Sequence, residues 1–154
     1  MEVYLVQHGE AQRKEEDPER PLTEKGKDDV RKVAAFLSKS NVRVYQIRHS
    51  GKKRAEETAL ILGDHLSPPS GVKVHQGLAP NDDVTPVAEI LQLENEPVMI
   101  VSHLPFLIRL ASLLITDNEE KTVVQFRMGG CVCLVTENGN WTVEWVVTPD
   151  LLSD

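Results

Sequence analysis

Two histidines follow the two most apolar segments of the sequence. Gln7 alone separates His8 from the run at residues 3–6, and Ser102 alone separates His103 from the run at residues 98–101. Short apolar runs of this kind are typical of strands buried on both faces of a parallel sheet. Because ligands bind beyond the carboxyl ends of such strands, His8 is predicted either to face a ligand crevice or simply to cap its strand. In the first case Gly9 lets a ligand approach the backbone.

A neutral imidazole in such a crevice is a competent nucleophile toward phosphorus. It forms a covalent phosphohistidine, which divides one difficult displacement into two easier ones. This chemistry needs cationic donors around the phosphoryl oxygens. Arg54, in the first turn of a predicted helix, offers a guanidinium group beside a helix N-terminus, although an arginine at such a position is also common as a solvated surface residue. The two histidines converge only if their strands are neighbours in the sheet.

The elements that must position these residues alternate between strands and helices. Strands are predicted at residues 3–6, 42–47, 72–75 and 98–101. Helices are predicted from the N-cap Thr23 to residue 38, at 52–65, from Thr85-Pro86 onward, and at 105–115. From residue 123 the pattern changes to strands, with Asn138-Gly139 as a two-residue turn between strands at 131–136 and 141–147. The expected fold class is α/β, with residues 1–154 forming one three-layer α/β/α domain that has a mostly parallel central sheet and a C-terminal antiparallel hairpin.

The C-terminal strands also carry the cysteines and tryptophans. Cys131 and Cys133 are two residues apart on a predicted strand, so their side chains share a face without the usual geometry of a disulfide. Buried structural thiols are favoured over a metal site, because there are no partner cysteines. Trp141, Val143, Trp145 and Val147 are predicted to share one face as a core stripe, with ligand stacking by the tryptophans as the alternative.

Composition excludes several classes of protein. The 17 basic and 24 acidic residues give a formal net charge of -7, which argues against a general nucleic-acid or anionic-membrane surface while leaving room for a local basic pocket. No apolar stretch reaches the roughly 20 residues that span a bilayer. With no charged-then-apolar leader and no disulfide, a reduced, cytoplasmic location is expected.

Four motifs in a fixed order cover the chain from residue 3 to about residue 115. They are His8-Gly9-Glu10-Ala11, Arg20-Pro21-Leu22-Thr23 with Gly26, Ser50 followed by Arg54-Ala55-Glu56-Glu57-Thr58-Ala59, and Ser102-His103-Leu104-Pro105. Together they resemble the histidine phosphatase superfamily, and their order, spacing and short chain are most similar to its SixA-type phosphohistidine phosphatases. The resemblance implies a phosphoglycerate mutase-like fold.

By this resemblance, His8 is the nucleophile, and Arg54 and His103 complete the catalytic set. Gln7, Gly9 and Arg20 join Arg54 and His103 as phosphate-binding residues. The resemblance also implies a phosphohistidine-containing protein, such as a phosphotransfer domain, as substrate and partner, with no cofactor and no metal. A monomer is favoured.

One position departs from the family pattern. The hallmark of the family is Arg-His-Gly, and here Gln7 occupies the arginine position. A hydrogen bond to a charged group contributes about 1.5–3 kcal/mol, so the expected rate loss is about 10–150-fold if nothing compensates. Arg13, Arg48 and Lys53 are candidates to restore the charge. Otherwise the chain is a slow enzyme, an enzyme with another substrate, or a protein that binds phosphate without hydrolysing it.

The identity of a general acid is also open. Hydrolysis of a phosphate ester needs a carboxylic acid to protonate the leaving alkoxide, and Asp82 and Asp83 either supply it, as a small-molecule phosphomonoesterase requires, or cap the following helix. Phosphohistidine has a better leaving group, and SixA-type members are noted for lacking the acid. His49, His65 and His75 are predicted to be structural or surface residues, with His49 adjoining the site.

Overall fold

The structure, a computed structural model, describes residues 1–153 and contains one six-stranded sheet. Its strands are β1 (Glu2–Gln7), β2 (Gln46–His49), β3 (Val72–Val74), β4 (Val98–Ser102), β5 (Cys131–Glu137) and β6 (Asn140–Val147), in the order β3-β2-β4-β1-β5-β6. The pairs β3–β2, β2–β4 and β4–β1 are parallel, whereas β1–β5 and β5–β6 are antiparallel. The predicted parallel sheet with a C-terminal antiparallel hairpin is therefore confirmed.

Helices cover both faces of this sheet and produce the three predicted layers. They are α1 (Glu24–Lys39), α2 (Lys53–Leu66), α3 (Thr85–Gln92) and α4 (Phe106–Thr116), followed by a short 3-10 helix (Pro149–Leu151). Alternate residues of β1 enter different cores, because strand side chains point to opposite faces. Val3 and Leu5 pack with α3 and α4, whereas Tyr4 and Val6 pack with α1 and α2. None of the helices within residues 1–153 is both long and apolar enough to span a bilayer.

The two histidine-bearing strands are neighbours, as convergence of the histidines requires. β1 and β4 run parallel with Gln7 opposite Ser102, and the backbone N–H of His8 donates to the carbonyl of Ser102 at 3.1 Å. Both strands end at the same edge of the sheet, so His8 and His103 leave it side by side.

The predicted position of the second strand is wrong. The second strand, predicted at 42–47, is β2 at Gln46–His49, because Val42 still closes the end of α1 through a 3.1 Å bond to the carbonyl of Leu37. Pairing with β4 begins only where Gln46 lies opposite Val98. By contrast, α3 begins at Thr85, as predicted, with Val84 as its N-cap residue.

The hairpin confirms the predicted turn but not the predicted face. Asn138 and Gly139 both have positive φ, as a two-residue turn of this kind requires. A bulge at Glu144 then shifts the pairing of β6 with β5 by one residue. Because a one-residue shift reverses which face a side chain occupies, Trp141 enters the core beneath α3 and α4, whereas Trp145 and Val147 enter the core beneath α1 and α2.

The two cysteines are buried free thiols on one face of β5, as predicted. Burial raises the pKa of the Cys133 thiol to about 12. Within residues 1–153 no group of three or more His, Cys, Asp or Glu side chains is arranged to hold a metal ion.

Candidate active site

His8 follows β1 directly and is held as a neutral imidazole with one free nitrogen. Its Nδ1 lies 2.7 Å from the carbonyl oxygen of Gly9, which only accepts, so the geometry assigns the proton to Nδ1 and the lone pair to Nε2. The residue is only 8% exposed. Burial, and then the charges of Arg54 and Arg20, lower the pKa of His8 to about 4 although the bond to Gly9 opposes this shift.

The backbone around His8 is fixed from both neighbouring segments of the sheet. On one side its N–H donates to Ser102 of β4. On the other side the N–H of Gly129, just before β5, lies 2.9 Å from the carbonyl oxygen of Gln7 and 3.2 Å from that of His8. The nucleophile candidate therefore lies on a backbone that two neighbouring segments of the chain hold in place.

Gly9 is fixed by α2 and packs against α1. Its N–H donates to the hydroxyl of Thr58 at 3.0 Å, and this hydroxyl donates to the carbonyl of Arg54 at 2.8 Å. A Cβ added to Gly9 would lie 2.8 Å from Cγ2 of Val30, closer than real contacts allow. Glycine is therefore required here for close packing of the loop, and its N–H already has a partner in the protein.

His103 lies beside His8 at the end of β4. The ring centroids are 5.0 Å apart at an interplanar angle of 52°, and His103 is 1% exposed. Its Nε2 is 2.6 Å from the hydroxyl of Ser50, which also accepts a 3.3 Å bond from the backbone N–H of Lys52. Burial, then the charges of His8, Arg54 and Lys52, lower the pKa of His103 to about 3.

Arg54 and Arg20 bring positive charge to the same place. Arg54 is in the first turn of α2, and burial and the charge of Arg20 lower its pKa. Arg20 has a φ of 51° and donates from Nε to the carbonyl of Gln12 at 3.1 Å. Neither arginine forms a salt bridge with any residue in the described part of the chain. Two cations of like charge thus lie near two neutral imidazoles.

Unpartnered buried polar atoms concentrate in this cluster. Among residues 1–153, four buried side-chain nitrogen or oxygen atoms lack a hydrogen-bond partner. Three of them belong to predicted site residues: Oε1 of Gln7, Nε of Arg54 and Nδ1 of His103. Since buried polar groups are nearly always paired, this concentration indicates a place built for a ligand. The fourth atom is Nε1 of Trp141 in the core.

Gln7 leaves the site without the expected charge, and two of its three predicted substitutes are engaged elsewhere. Arg48 forms a 2.6 Å salt bridge with Glu94, and Arg13 forms an exposed pair with Glu16. Lys53 lines a cavity of about 440 Å³ beside Arg54.

The two acidic residues of the loop before α3 bind their own backbone. Oδ2 of Asp82 accepts from the N–H of Ala79 at 2.9 Å, and Oδ1 of Asp83 accepts from the N–H of Thr85 at 3.0 Å. Hydrogen bonding with Thr85 lowers the pKa of Asp83. The capping role is therefore the one that the structure gives to Asp83.

Sequence reasoning gave no role to three residues that link the site together. Ser50 contacts His103, Lys52 contacts Ser50, and Thr58 connects Gly9 to Arg54. Their positions in the sequence could have identified them, because Ser50 follows β2 directly and Thr58 is one helical turn after Arg54.

Of the other histidines, His49 is buried and accepts the N–H of Gly51. His65 and His75 lie away from the His8–His103 pair.

Known proteins share this arrangement. The sequence model of the histidine phosphatase superfamily (branch 1) matches residues 3–79. Phosphohistidine phosphatase SixA of Escherichia coli (strain K12) is 34% identical over 155 residues, covering 97% of this chain and 94% of the relative. A solved structure of the protein histidine phosphatase SixA complexed with tungstate superposes with a TM-score of 0.87 at 32% identity, covering 98% of this chain and 99% of that one.

A more distant structure, the alpha-ribazole phosphatase from Shigella flexneri, shares the fold with a TM-score of 0.77 at 17% identity over 97% of each chain. The family match, the near full-length identity to SixA and the arrangement of strand-end histidines and arginines agree with one another. The chain belongs to the histidine phosphatase superfamily.

Proposed function

We propose that this chain is a phosphohistidine phosphatase that removes the phosphoryl group from a histidine of a partner protein, through a covalent intermediate on His8. The observation that carries this proposal is the state of His8. Its Nδ1 is bonded to Gly9 and its pKa is about 4, so at neutral pH Nε2 presents a lone pair beside two unpaired arginines. The near full-length similarity to SixA supports the choice of a phosphohistidine substrate.

The reaction has two displacements at phosphorus. In the first, Nε2 of His8 forms a P–N bond while the P–N bond to the substrate histidine breaks, and the departing imidazole nitrogen keeps the electron pair and takes a proton from solvent. In the second, water forms a P–O bond as the bond to His8 breaks. The electron pair returns to Nε2, the proton of the water passes to solvent, and inorganic phosphate leaves.

The other predicted site residues hold the phosphoryl group. Arg54 and Arg20 stabilise negative charge on its oxygens, because no carboxylate in the described chain neutralises them. The unpartnered Nδ1 of His103 and the amide of Gln7 give further contacts. Gly9 contributes by packing the loop so that His8 can face this group.

The leaving group favours phosphohistidine over an ester. Asp82 and Asp83 both accept backbone N–H groups of their own loop. The pKa of Asp83 is lowered by its bonds with Thr85, which makes this carboxylate a poor general acid. A departing imidazole does not require one, because it is a better leaving group than an alkoxide. A small-molecule phosphomonoesterase therefore has less support.

A binding role without turnover is the second candidate, and Gln7 is the observation that favours it. The glutamine carries no charge, and its Oε1 is an acceptor that lacks a partner within residues 1–153, which does not suit a phosphate anion. Such a protein would hold a phosphoprotein through Arg20 and Arg54 without completing the first displacement. We further propose a monomer in the cytoplasm that acts on a phosphotransfer-type domain, without cofactor or metal.

The test measures phosphate release from a histidine-phosphorylated phosphotransfer domain by wild type, His8→Ala, Gln7→Arg and the matched control His49→Asn. Asparagine at position 49 retains an acceptor for the N–H of Gly51, so this buried strand-end variant should fold and remain active. Wild type and His49→Asn should form an acid-labile phosphoenzyme that His8→Ala lacks. Labelling of His8→Ala would overturn the mechanism, and tight binding with no turnover until Gln7→Arg is introduced would favour the second candidate.

A further inference from the structure

Because Gln7 is uncharged, another cation is needed to stabilise the negative charge of the phosphoryl group. The choice of that cation rests on the proposed function. Arg20 and Arg54 occupy positions that the family motifs already account for. A further charge must come from a side chain that has no carboxylate partner and lies next to the His8–His103 pair.

Geometry removes two of the three candidates that the sequence suggested. The guanidinium group of Arg48 is 13% exposed and is bound by Glu94 and by the amide oxygen of Gln46. Arg13 is 77% exposed and pairs with Glu16 three residues later. Moving either to the site would break an existing pair, so neither is a free source of charge.

Lys52 meets both requirements. It is the N-cap residue of α2, and its N–H donates to the hydroxyl of Ser50, which is itself 2.6 Å from Nε2 of His103. Only one hydroxyl group therefore separates the backbone of Lys52 from the second histidine. No carboxylate within residues 1–153 forms a salt bridge with Lys52.

The side chain of Lys52 shares a cavity with Arg54. This cavity of about 440 Å³ is lined by Gly51, Lys52, Lys53, Arg54 and Glu56 of the α2 start, and by Pro18 and Glu19 of the loop that carries Arg20. Arg54, which lines this cavity, also lowers the pKa of His8, so this wall of the cavity lies near the proposed nucleophile. The charge of Lys52 likewise acts on His103.

We propose that Lys52 supplies the positive charge that Gln7 lacks, by directing its ammonium group from this cavity toward a phosphoryl group held between His8 and Arg54. Lysine suits this task because its charge is compact and its four-carbon stem is flexible. The ammonium group is solvent-exposed, so added salt weakens its effect.

The experiment is a double-mutant cycle with a neighbouring control. The variants are Lys52→Met, Lys53→Met, Gln7→Arg and the double variant Gln7→Arg/Lys52→Met, with Lys52→Arg as the conservative replacement. We expect Lys52→Met to lower kcat/KM by about tenfold, as the loss of one charged contact predicts. Lys53→Met, which removes an equal charge from the same cavity, should have a clearly smaller effect, and Lys52→Arg should retain most of the activity.

The decisive measurement is whether the effect of Lys52→Met on kcat/KM depends on the residue at position 7. If Lys52 had only a structural role, that effect would be the same with Gln7 and with arginine at position 7. In the Gln7→Arg background the restored arginine should reduce the effect of Lys52→Met to about threefold or less. An equal loss in both backgrounds, or equal losses for Lys52→Met and Lys53→Met, would overturn the proposal.

Tungstate binding separates this proposal from the proposed function. The dissociation constant for tungstate, measured by calorimetry on the same variants, should rise about tenfold in Lys52→Met and fall in Gln7→Arg. If no turnover is found but tungstate affinity still depends on Lys52, the phosphatase assignment fails and the role of Lys52 stands. If turnover depends on His8 while Lys52→Met changes neither quantity, the role of Lys52 fails and the phosphatase assignment stands.

Discussion

Two arginines that are close in sequence, Arg48 and Arg54, differ in whether the protein provides them with a carboxylate partner. Arg48, in β2, is bonded to Glu94 at 2.6 Å and to Oε1 of Gln46 at 2.7 Å. Arg54, in α2, has an Nε that is buried without a partner in the described chain, and the charge of another cation, Arg20, helps burial to lower its pKa. Both are removed from bulk water, yet only one has its charge neutralised.

The same contrast separates the buried histidines. Nδ1 of His49 accepts the N–H of Gly51 and His49 belongs to the structural framework. His103 has an Nδ1 without a partner among residues 1–153, and His8 keeps Nε2 free. Because unpaired buried polar groups cost free energy, their concentration at one sheet edge supports the proposed binding of a phosphoryl group there.

Replacing Arg54 tests the unpaired side of this comparison and should have the largest effect. Arg54→Met should lower kcat/KM by about 10²–10³-fold, because a donor aimed at the transferring group is lost. The melting temperature of Arg54→Met should equal or exceed that of wild type, because the substitution removes the guanidinium group of Arg54, whose buried Nε has no partner. A variant that melts much earlier than wild type would mean that Arg54 is structural, and Arg54→Lys should recover part of the activity because it keeps the charge without the planar fork.

Acidification tests whether the two imidazoles are neutral. The pKa of His8 is about 4 and that of His103 about 3, so the acid limb of kcat/KM should lie near pH 4 rather than near 6.5. Between pH 6.5 and about 4 the unfolded chain binds protons that the folded chain does not. The free energy of unfolding should therefore be greatest above pH 6.5 and fall as the pH is lowered.

Imidazole NMR signals give a direct check of the same expectation. The signals of His8 and His103 should remain those of neutral rings at pH 5.5. An acid limb near 6.5, or a His8 signal that titrates there, would contradict the neutral pair.

Replacing Arg48 tests the paired side. Arg48→Met leaves the half-buried Glu94 without its partner and should reduce the free energy of unfolding by about 1–3 kcal/mol. Its kcat/KM at a temperature well below melting should equal that of wild type. Urea denaturation and steady-state kinetics on one preparation measure both quantities, and a loss of activity without a loss of stability would remove the distinction between the two arginines.

The smallest effect is expected at Asp83. Asp83→Asn keeps an oxygen that accepts the N–H of Thr85, so turnover of a phosphohistidine protein should change by about twofold at most. Hydrolysis of p-nitrophenyl phosphate should change equally little. A loss confined to the ester would show instead that Asp83 acts as a general acid.

Much of this arrangement could be predicted because it depends on local patterns. The apolar runs before Gln7 and Ser102 are diagnostic of buried strands, and a strand of that kind needs neighbours on both sides. The adjacency of β1 and β4, by contrast, does not follow from these patterns and is established only by the parallel pairing in the structure. The Asn138-Gly139 turn is equally local, since both residues tolerate positive φ.

The features that were missed depend on tertiary geometry. The bulge at Glu144 carries no glycine or other signal, yet it reverses the face of Trp145. The pairing of Arg48 with Glu94 joins residues 46 positions apart, and no spacing rule selects that partner. Lys52 reaches the site only because the hydroxyl of Ser50 bridges its N–H to His103.

The bonds from the N–H of Gly129 to the carbonyl oxygens of Gln7 and His8 restrict which mutations the segment before β5 can tolerate. The segment leading into β5 supplies none of the proposed reactive groups, but it holds the backbone at His8, the proposed nucleophile, through the main-chain N–H of Gly129, whose φ of 76° favours glycine. Val124 and Phe126 anchor this segment in the core beneath α3 and α4. Replacement of Gly129, or a deletion that redirected the segment, would therefore displace His8 without altering any of the proposed reactive groups.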